Sequence, residues 1–361
     1  MEAFSFAAVV DPISRWYREN ARSLPWREDP PDPYHVWLSE VMLQQTRIEA
    51  VIPYYDRFIR ALPDVAALAG VEDNRLMKLW EGLGYYSRAR NLKKAAVRIM
   101  DEHGGKLPAE YASLLSLPGF GEYTAGAVAS IAFDLPVPAV DGNVLRVIAR
   151  LTADHDDVLL PATRRRITRA LGEVMPAVGS GVFNAALMEL GERICLPGGN
   201  PRCSDCPLSG MCLGFSKGEQ SLLPVRAPRK ERRVERRTVL LVVTQEDTPR
   251  VLLSKRGPTG LLASLWEFPN YEGEYSYQAV MELAKKLGAT VLSAEMAGEG
   301  RHLFTHVEWQ MTGVVLKVRA FDPKGECVLA TLPQVNEKYP LPTAFRPFTR
   351  MLPVLLEQKK R

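Results

Sequence analysis

Four cysteines within eighteen residues, Cys195-x7-Cys203-x2-Cys206-x5-Cys212, constrain this chain more than any other feature in it. Thiols spaced so closely can close around one metal centre, where they bind as thiolates whose charge the metal neutralises. The fifth cysteine, Cys327, stands alone. Clustering of this kind, with no export signal, reads as a metal site rather than a disulfide framework. Four Cys without His suit either a cubane iron–sulfur cluster or a structural zinc. Unpaired buried thiols are the plain alternative.

The length, 361 residues, calls for two domains. No apolar run approaches the roughly 20 residues that cross a bilayer. Residues 1–15 lack a cationic leader followed by an apolar block, so the expected location is the cytoplasm, near the nucleoid of a bacterial cell, with no membrane partner and a monomeric state. A net charge of +4 permits a nucleic-acid partner without demanding one. Between Arg226 and Arg237, Arg and Lys outnumber Glu by seven to two, which fits a solvated linker or a phosphate contact.

Apolar residues recurring at three- and four-residue spacing predict helices over 12–21, 34–50, 73–81, 89–102 and 124–133, punctuated by Pro and Gly. The character changes after Leu223. Residues 224–237 are charged and proline-bearing, as linkers are. Strand-like runs follow over 238–244, 250–254 and 314–318, with a helical segment over 277–287. The expected architecture is therefore an all-α domain over 1–223, a linker over 224–237 and a separate α+β domain over 238–361.

Three segments of the helical part carry chemistry. In Leu117-Pro118-Gly119-Phe120-Gly121-Glu122-Tyr123, two glycines allow a tight turn with positive φ and leave backbone N–H groups uncovered. A helix starting at once adds its N-terminal partial charge, and the combination suits a phosphate. In Val140-Asp141-Gly142-Asn143, the Asp is a helix cap or a catalytic acid. In Trp37-Leu38-Ser39-Glu40-Val41-Met42-Leu43-Gln44-Gln45-Thr46, a carboxylate sits among apolar side chains, where desolvation raises its pKa. A surface acid on a helix is the plain alternative there.

Taken together, these segments resemble the endonuclease III superfamily of helix–hairpin–helix DNA glycosylases, and within it the MutY-type adenine glycosylases. The resemblance runs from Trp26 to about Trp309. That superfamily spaces its cysteines with six residues in the first gap, one fewer than here, and holds a [4Fe-4S] cluster on them. The resemblance thus implies a cluster on Cys195, Cys203, Cys206 and Cys212, with zinc the weaker rival, and a helix–hairpin–helix over about 107–133 gripping DNA through Gly119 and Gly121. Bifunctional relatives carry Lys where this chain has Tyr123, and its absence implies base excision without an efficient strand-cleaving step. By the same resemblance Glu40 protonates adenine, most plausibly at N7, while Asp141 opposes an oxocarbenium-like sugar. Asn143 and Tyr123 position the groups, and the pKa values of the two acids should be pushed apart. Extrusion of the base would involve Gln45 and Tyr85, with Trp26 and Arg27 lining its pocket. Ala185 stands where relatives often have Gln or Glu; Glu189, one helical turn on, is a possible substitute.

The second part, from Lys255 through Pro269, resembles the start of a Nudix-type fold. Its helix reads Met281-Glu282-Leu283-Ala284-Lys285-Lys286, with lysines where a Mg²⁺-binding glutamate cluster would lie, which implies binding without hydrolysis. Adenine glycosylases recognise 8-oxoguanine there through Phe-Ser-His. Phe304-Thr305-His306 resembles that triplet, with Thr305 keeping the hydroxyl. The implied partner is double-stranded DNA holding adenine opposite 8-oxoguanine or guanine. The rivals are an endonuclease III-like enzyme acting on oxidised pyrimidines, a Nudix nucleotide hydrolase and a catalytically silent lesion binder.

Overall fold

The computed structural model describes residues 4–228 and 231–357, so Arg229 and Lys230 of the expected linker lie outside the described residues. Contacts divide the chain into two units, Met1–Gly70 with Arg90–Arg229, and Val71–Ala89 with Lys230–Arg361. In chain order the early helices are α1 (Ala7–Asn20), α2 (Pro33–Leu43), α3 (Ile48–Ala61), α4 (Val65–Gly70), α5 (Asp73–Leu79), α6 (Ser87–His103) and α7 (Tyr111–Ser116). Then follow α8 (Glu122–Phe133), α9 (Gly142–Thr152), α10 (Pro161–Gly172), α11 (Ser180–Arg193) and α12 (Leu213–Ser216). Among the described residues no helix is long and apolar enough to cross a membrane.

The first unit is helical. Its core joins α1, α9 and α11 through Val9, Ile13, Val144, Ile148, Phe183, Leu187 and Leu190, all buried. The helix expected over 34–50 is two. Asp32 caps α2 by accepting from the N–H groups of Tyr34 and His35, and Pro33 supplies the first turn. The helix ends at Leu43, and Gln45 then turns the chain with φ 59° before α3 begins. Apolar residues cover every side of α2, with Val36, Trp37, Leu38, Val41 and Met42 all buried, so their periodicity marks no end. Helix α8 approaches α11 closely at Gly181, where an added Cβ would lie 2.6 Å from the Ser130 carbonyl oxygen. Asn184 satisfies the polar groups there: its Nδ2 donates to Ser130 Oγ and Val137 O, and its Oδ1 accepts from Ala139 N. Those bonds fix the connector 135–139, which pairs with no strand.

The second unit is built on a mixed sheet of β1 (Arg233–Thr244), β2 (Val251–Lys255), β3 (Trp266–Glu267), β4 (Asn270–Glu272), β5 (Val291–Leu303), β6 (Val307–Val318) and β7 (Cys327–Ala330). The order is β3-β2-β1-β6-β5, with β4 beside β1 and β7 beside β2, and β1 runs parallel to β6. Alternation along β1 sends Val239, Leu241 and Val243 to one face and Leu240 and Val242 to the other. Helix α13 (Tyr277–Lys286) covers the second face with Val280, Leu283 and Ala284. The first face packs on Phe345, Phe348 and Leu352. β1 begins inside the stretch expected as linker, for Arg233–Arg237 pairs with Val307–Met311. Two of its charges turn inward, where Glu235 accepts from Trp309 Nε1 and Arg237 lies 4.5 Å over the Trp309 ring, while Arg233 and Arg236 stay exposed.

The Gly181 contact predicts an asymmetry between two glycines. Gly181→Ala should destabilise the protein by about 1–3 kcal/mol through overpacking against backbone. Gly121→Ala, whose Cβ meets nothing within 4 Å, should cost much less. Denaturant midpoints of both variants against the native chain check this, and equal losses would refute the packing argument.

Candidate active site

One cavity of about 960 Å³ in the first unit gathers seven of the sequence-predicted residues: Trp26, Arg27, Glu40, Gln45, Tyr123, Asp141 and Asn143 all line it. Glu40 reaches it from the middle of α2 and is 8% exposed. Tyr123, in the first turn of α8, donates its hydroxyl to Glu40 Oε2 at 2.5 Å and touches Met188 Sδ at 3.6 Å. Burial is the largest influence on Glu40 and lifts its pKa to about 7; the Tyr123 bond opposes that and the charge of Asp141 adds to it.

Asp141 is the N-cap of α9. Its Oδ1 accepts from the N–H groups of Asn143 (2.8 Å) and Val144 (2.7 Å), and its Oδ2 accepts from Asn143 Nδ2 (2.8 Å). Burial raises its pKa as well, against those backbone donors. Burial thus moves both acids the same way. They differ in what holds the anion: three donors and a helix N-terminus at Asp141, one hydroxyl at Glu40. Those donors favour charge on Asp141 over charge on Glu40. Because Oε2 of Glu40 accepts from Tyr123, a proton on Glu40 belongs on Oε1.

Two interactions were not foreseen from the sequence. Arg146 Nη2 donates to Asn143 Oδ1 (2.9 Å) and to Gly191 O (2.8 Å), and its Nε donates to Cys195 O (2.8 Å). One turn on, Arg150 donates to Cys195 Sγ (3.2 Å), Leu196 O (2.8 Å), Gly198 O (3.1 Å) and Leu223 O (2.9 Å). Both guanidiniums are buried. Arginines four apart on an otherwise apolar helix, after Asp-Gly-Asn and before a cysteine cluster, are the signal that could have found them. The other is the fate of Glu189. It is 1% exposed, and it accepts from Arg22 Nε (2.6 Å), Arg22 Nη2 (2.9 Å) and Arg27 Nη2 (2.8 Å). Burial alone would raise its pKa, but the two arginines hold it below the ordinary value. Glu189 is committed to Arg22 and Arg27 and does not replace a side chain at Ala185.

The four cysteines line a second cavity, of about 30 Å³, together with Arg150 and Gln220. Cys206 is pushed up to about 12, by burial first, with Cys195, Cys212 and Cys203 close enough to contribute. Arg150 pins the Gly/Pro-rich loop after Cys195, Gly198 turns it at φ 85°, and Arg202 N closes it on Ile194 O at 2.8 Å. Gln220 Oε1 is buried without a hydrogen-bond partner. Among the described residues, no group of three or more His, Cys, Asp or Glu is arranged to hold a single metal ion.

The remaining predicted residues lie elsewhere. Gly119 turns the hairpin at φ 79°, and an added Cβ would strike Asn91 Cβ at 2.7 Å. Gly121, expected to share a positive φ, is extended (φ −93°) and is the N-cap of α8 without a side-chain cap, so the first N–H groups of that helix stay open. Phe120 stacks on Trp37 at 5.5 Å and fixes the hairpin to α2. In the second unit, Tyr85 is exposed, has φ 46°, and its hydroxyl lies 3.1 Å from Thr305 Oγ1. Thr305 and His306 are exposed in the β5–β6 turn. Phe304 instead packs edge-on against His302 (4.6 Å) and Trp309 (5.0 Å) at the margin of the core.

Residues 38–177 match the HhH-GPD superfamily of base excision DNA repair proteins, and residues 238–351 match the NUDIX domain. The chain is similar to an adenine DNA glycosylase of Mus musculus, 35% identical over 81% of this chain and 67% of the relative. It is also similar to an adenine DNA glycosylase of Buchnera aphidicola, 30% identical over 82% of each. Among solved structures it resembles a thermostable thymine-DNA glycosylase, at TM-score 0.52 and 27% identity, over 58% of this chain and 96% of that one.

The burial of Glu40 predicts a pH effect on stability. Its pKa rises on folding from 4.5 to about 7, so the folded state binds the extra proton between those values. The associated stability is complete below pH ~4.5 and is lost as pH rises through about 7, on the order of 3 kcal/mol. Glu40→Gln should lack this loss and exceed the native chain in stability at pH 8. Denaturation of both proteins at pH 4.5 and 8 decides the matter; parallel curves would refute it.

Proposed function

The chain belongs to the adenine DNA glycosylases, base-excision repair enzymes, and from that premise we propose how its residues divide the work. Adenine leaves poorly as an anion, and a proton delivered to N7 lets it leave neutral. Glu40 is the donor, from Oε1, which Tyr123 leaves free. The sugar left behind carries oxocarbenium-like positive charge, and Asp141, held ionised by its three donors, opposes it. Asn143 keeps Asp141 in that orientation, and Trp26 and Arg27 wall the base pocket. The single observation carrying this reading is that Glu40, its pKa lifted to about 7 by burial, faces one cavity with Asp141, whose carboxylate accepts three hydrogen bonds.

Duplex DNA is the partner. The open N-terminus of α8 at Gly121, set by the turn at Gly119, suits a backbone phosphate. Gln45 and Tyr85 are exposed residues held in left-handed backbone, a conformation that collects at functional positions, and they are the candidates to fill the gap left by the extruded adenine. In the second unit, Thr305 and His306 offer polar contacts to 8-oxoguanine, or to guanine, opposite the adenine. Phe304, packed on Trp309, supports that turn. Tyr123 in place of a lysine makes the reaction base excision alone.

The cysteine cavity fits a [4Fe-4S] cluster held by Cys195, Cys203, Cys206 and Cys212. The donor set is all sulfur, and the amide of Gln220, turned over, would face its N–H group towards an acceptor such as sulfide. When bound, the cluster would cross-link this region and supply a redox-active centre. A thiolate-held cluster also suits the reducing cytoplasm. Iron and sulfide analysis of purified protein tests this, and zinc in their place would overturn it.

For activity, a duplex with one adenine opposite 8-oxoguanine should break at that adenine only after hot alkali, faster than A·G and far faster than A·T. Breakage at an oxidised pyrimidine without alkali, and none at adenine, would support an endonuclease III-like enzyme instead. Glu40→Gln should slow single-turnover release by at least about 10²-fold. Loss of protonated Glu40 should make the native rate fall as pH rises through about 7. Tyr123→Phe removes the bond that lowers the Glu40 pKa, so this basic limb should move to higher pH; a limb that stays put or moves down would remove Glu40 as the acid.

A further inference from the structure

The α11 wall of the cavity lacks the groups that would read the exocyclic amine of adenine, whereas the α2 side carries Ser39, Gln44 and Gln45. The Tyr123 hydroxyl, bound to Glu40, touches Met188 of α11, which places this helix next to the proton donor. Going back along α11, the side chains lining the cavity are Ala185 and Val182, with Gly181 beyond. None of them carries a nitrogen or oxygen. The two acids farther along the same face are already engaged, Glu189 by Arg22 and Arg27 and Glu192 by Arg22. On a purine, the exocyclic nitrogen neighbours N7 on one edge. A base whose N7 faces Glu40 turns its amine either to the apolar part of α11 or to Gln44 and Gln45 at the end of α2, and we take the first orientation.

We propose that this enzyme also releases adenines carrying a small alkyl group on the exocyclic nitrogen. The inference rests on Glu40 addressing N7. An amine facing Ala185 and Val182 makes no hydrogen bond there, so replacing one N–H by N–CH₃ forfeits none. The methyl group meets apolar surface in a cavity of about 960 Å³, and the proton still enters at N7. Discrimination by one methyl group in an apolar pocket is weak, while discrimination by a lost hydrogen bond is strong.

The test is single-turnover release of adenine and of N6-methyladenine, each opposite 8-oxoguanine in the same duplex, by the native chain and by Ala185→Gln. The native chain should release the methylated base within about tenfold of the adenine rate. In Ala185→Gln the ratio of methylated to plain release should fall at least tenfold, whatever the absolute rate on adenine. Val182→Gln, one turn away on the same wall, should lower the ratio too and serves if the first variant does not fold. Release of adenine with no release of the methylated base, or a ratio unmoved by both variants, would overturn the proposal. Release of neither base would overturn the Glu40 reading along with it.

Discussion

Three hydrogen bonds onto one carboxylate organise this active site. Asp141 receives two backbone N–H groups from its own helix and one side-chain amide from Asn143. They make it a strong cap and also commit its charge, because a carboxylate with its lone pairs filled resists protonation even where water is scarce. That commitment sets the state of its neighbour. A second anion in the same cavity would be repelled by the first, so Glu40, with one hydroxyl to support it, takes the proton. On the function proposed above, one cavity thus draws an acid and an anion from two carboxyls.

Helix α9 carries that arrangement into the rest of the first unit. Asn143, Arg146 and Arg150 follow one another along it, and the two arginines bind the backbone around Cys195. Two guanidiniums buried in a helical core are costly unless fully bonded, and here carbonyls and a sulfur atom take up their donors. The cysteine loop is thereby tied to the helix that Asp141 caps, through hydrogen bonds as well as the apolar contacts of Leu208 and Met211.

The sequence made the chemistry more legible than the architecture. Glu40 stood out because a carboxylate flanked by Trp37, Val41 and Met42 has few peaceful explanations. Asp141 stood out because Gly-Asn follows it. The break after Leu43 was hidden, since α2 is apolar all round and its periodicity never lapses. Arg233–Arg237 looked like a linker because the fate of its charges depends on Trp309, some seventy residues away, and such pairing leaves no local trace. Glu189 could not be judged from sequence either: whether it faces adenine or arginine is decided by Arg22 and Arg27, which arrive from the opposite end of the unit.

Gly191 carries a consequence that reaches past the pocket. It does not line the cavity, yet an added Cβ there would lie 2.6 Å from Asn143 Cβ, and its carbonyl accepts from Arg146. Any heritable change that enlarges this residue pushes on the amide that orients Asp141. On the function proposed above, such an allele would disturb bond cleavage from outside the pocket. Sorting variants by distance from the cavity would class it as harmless, when the error it introduces is one of aim.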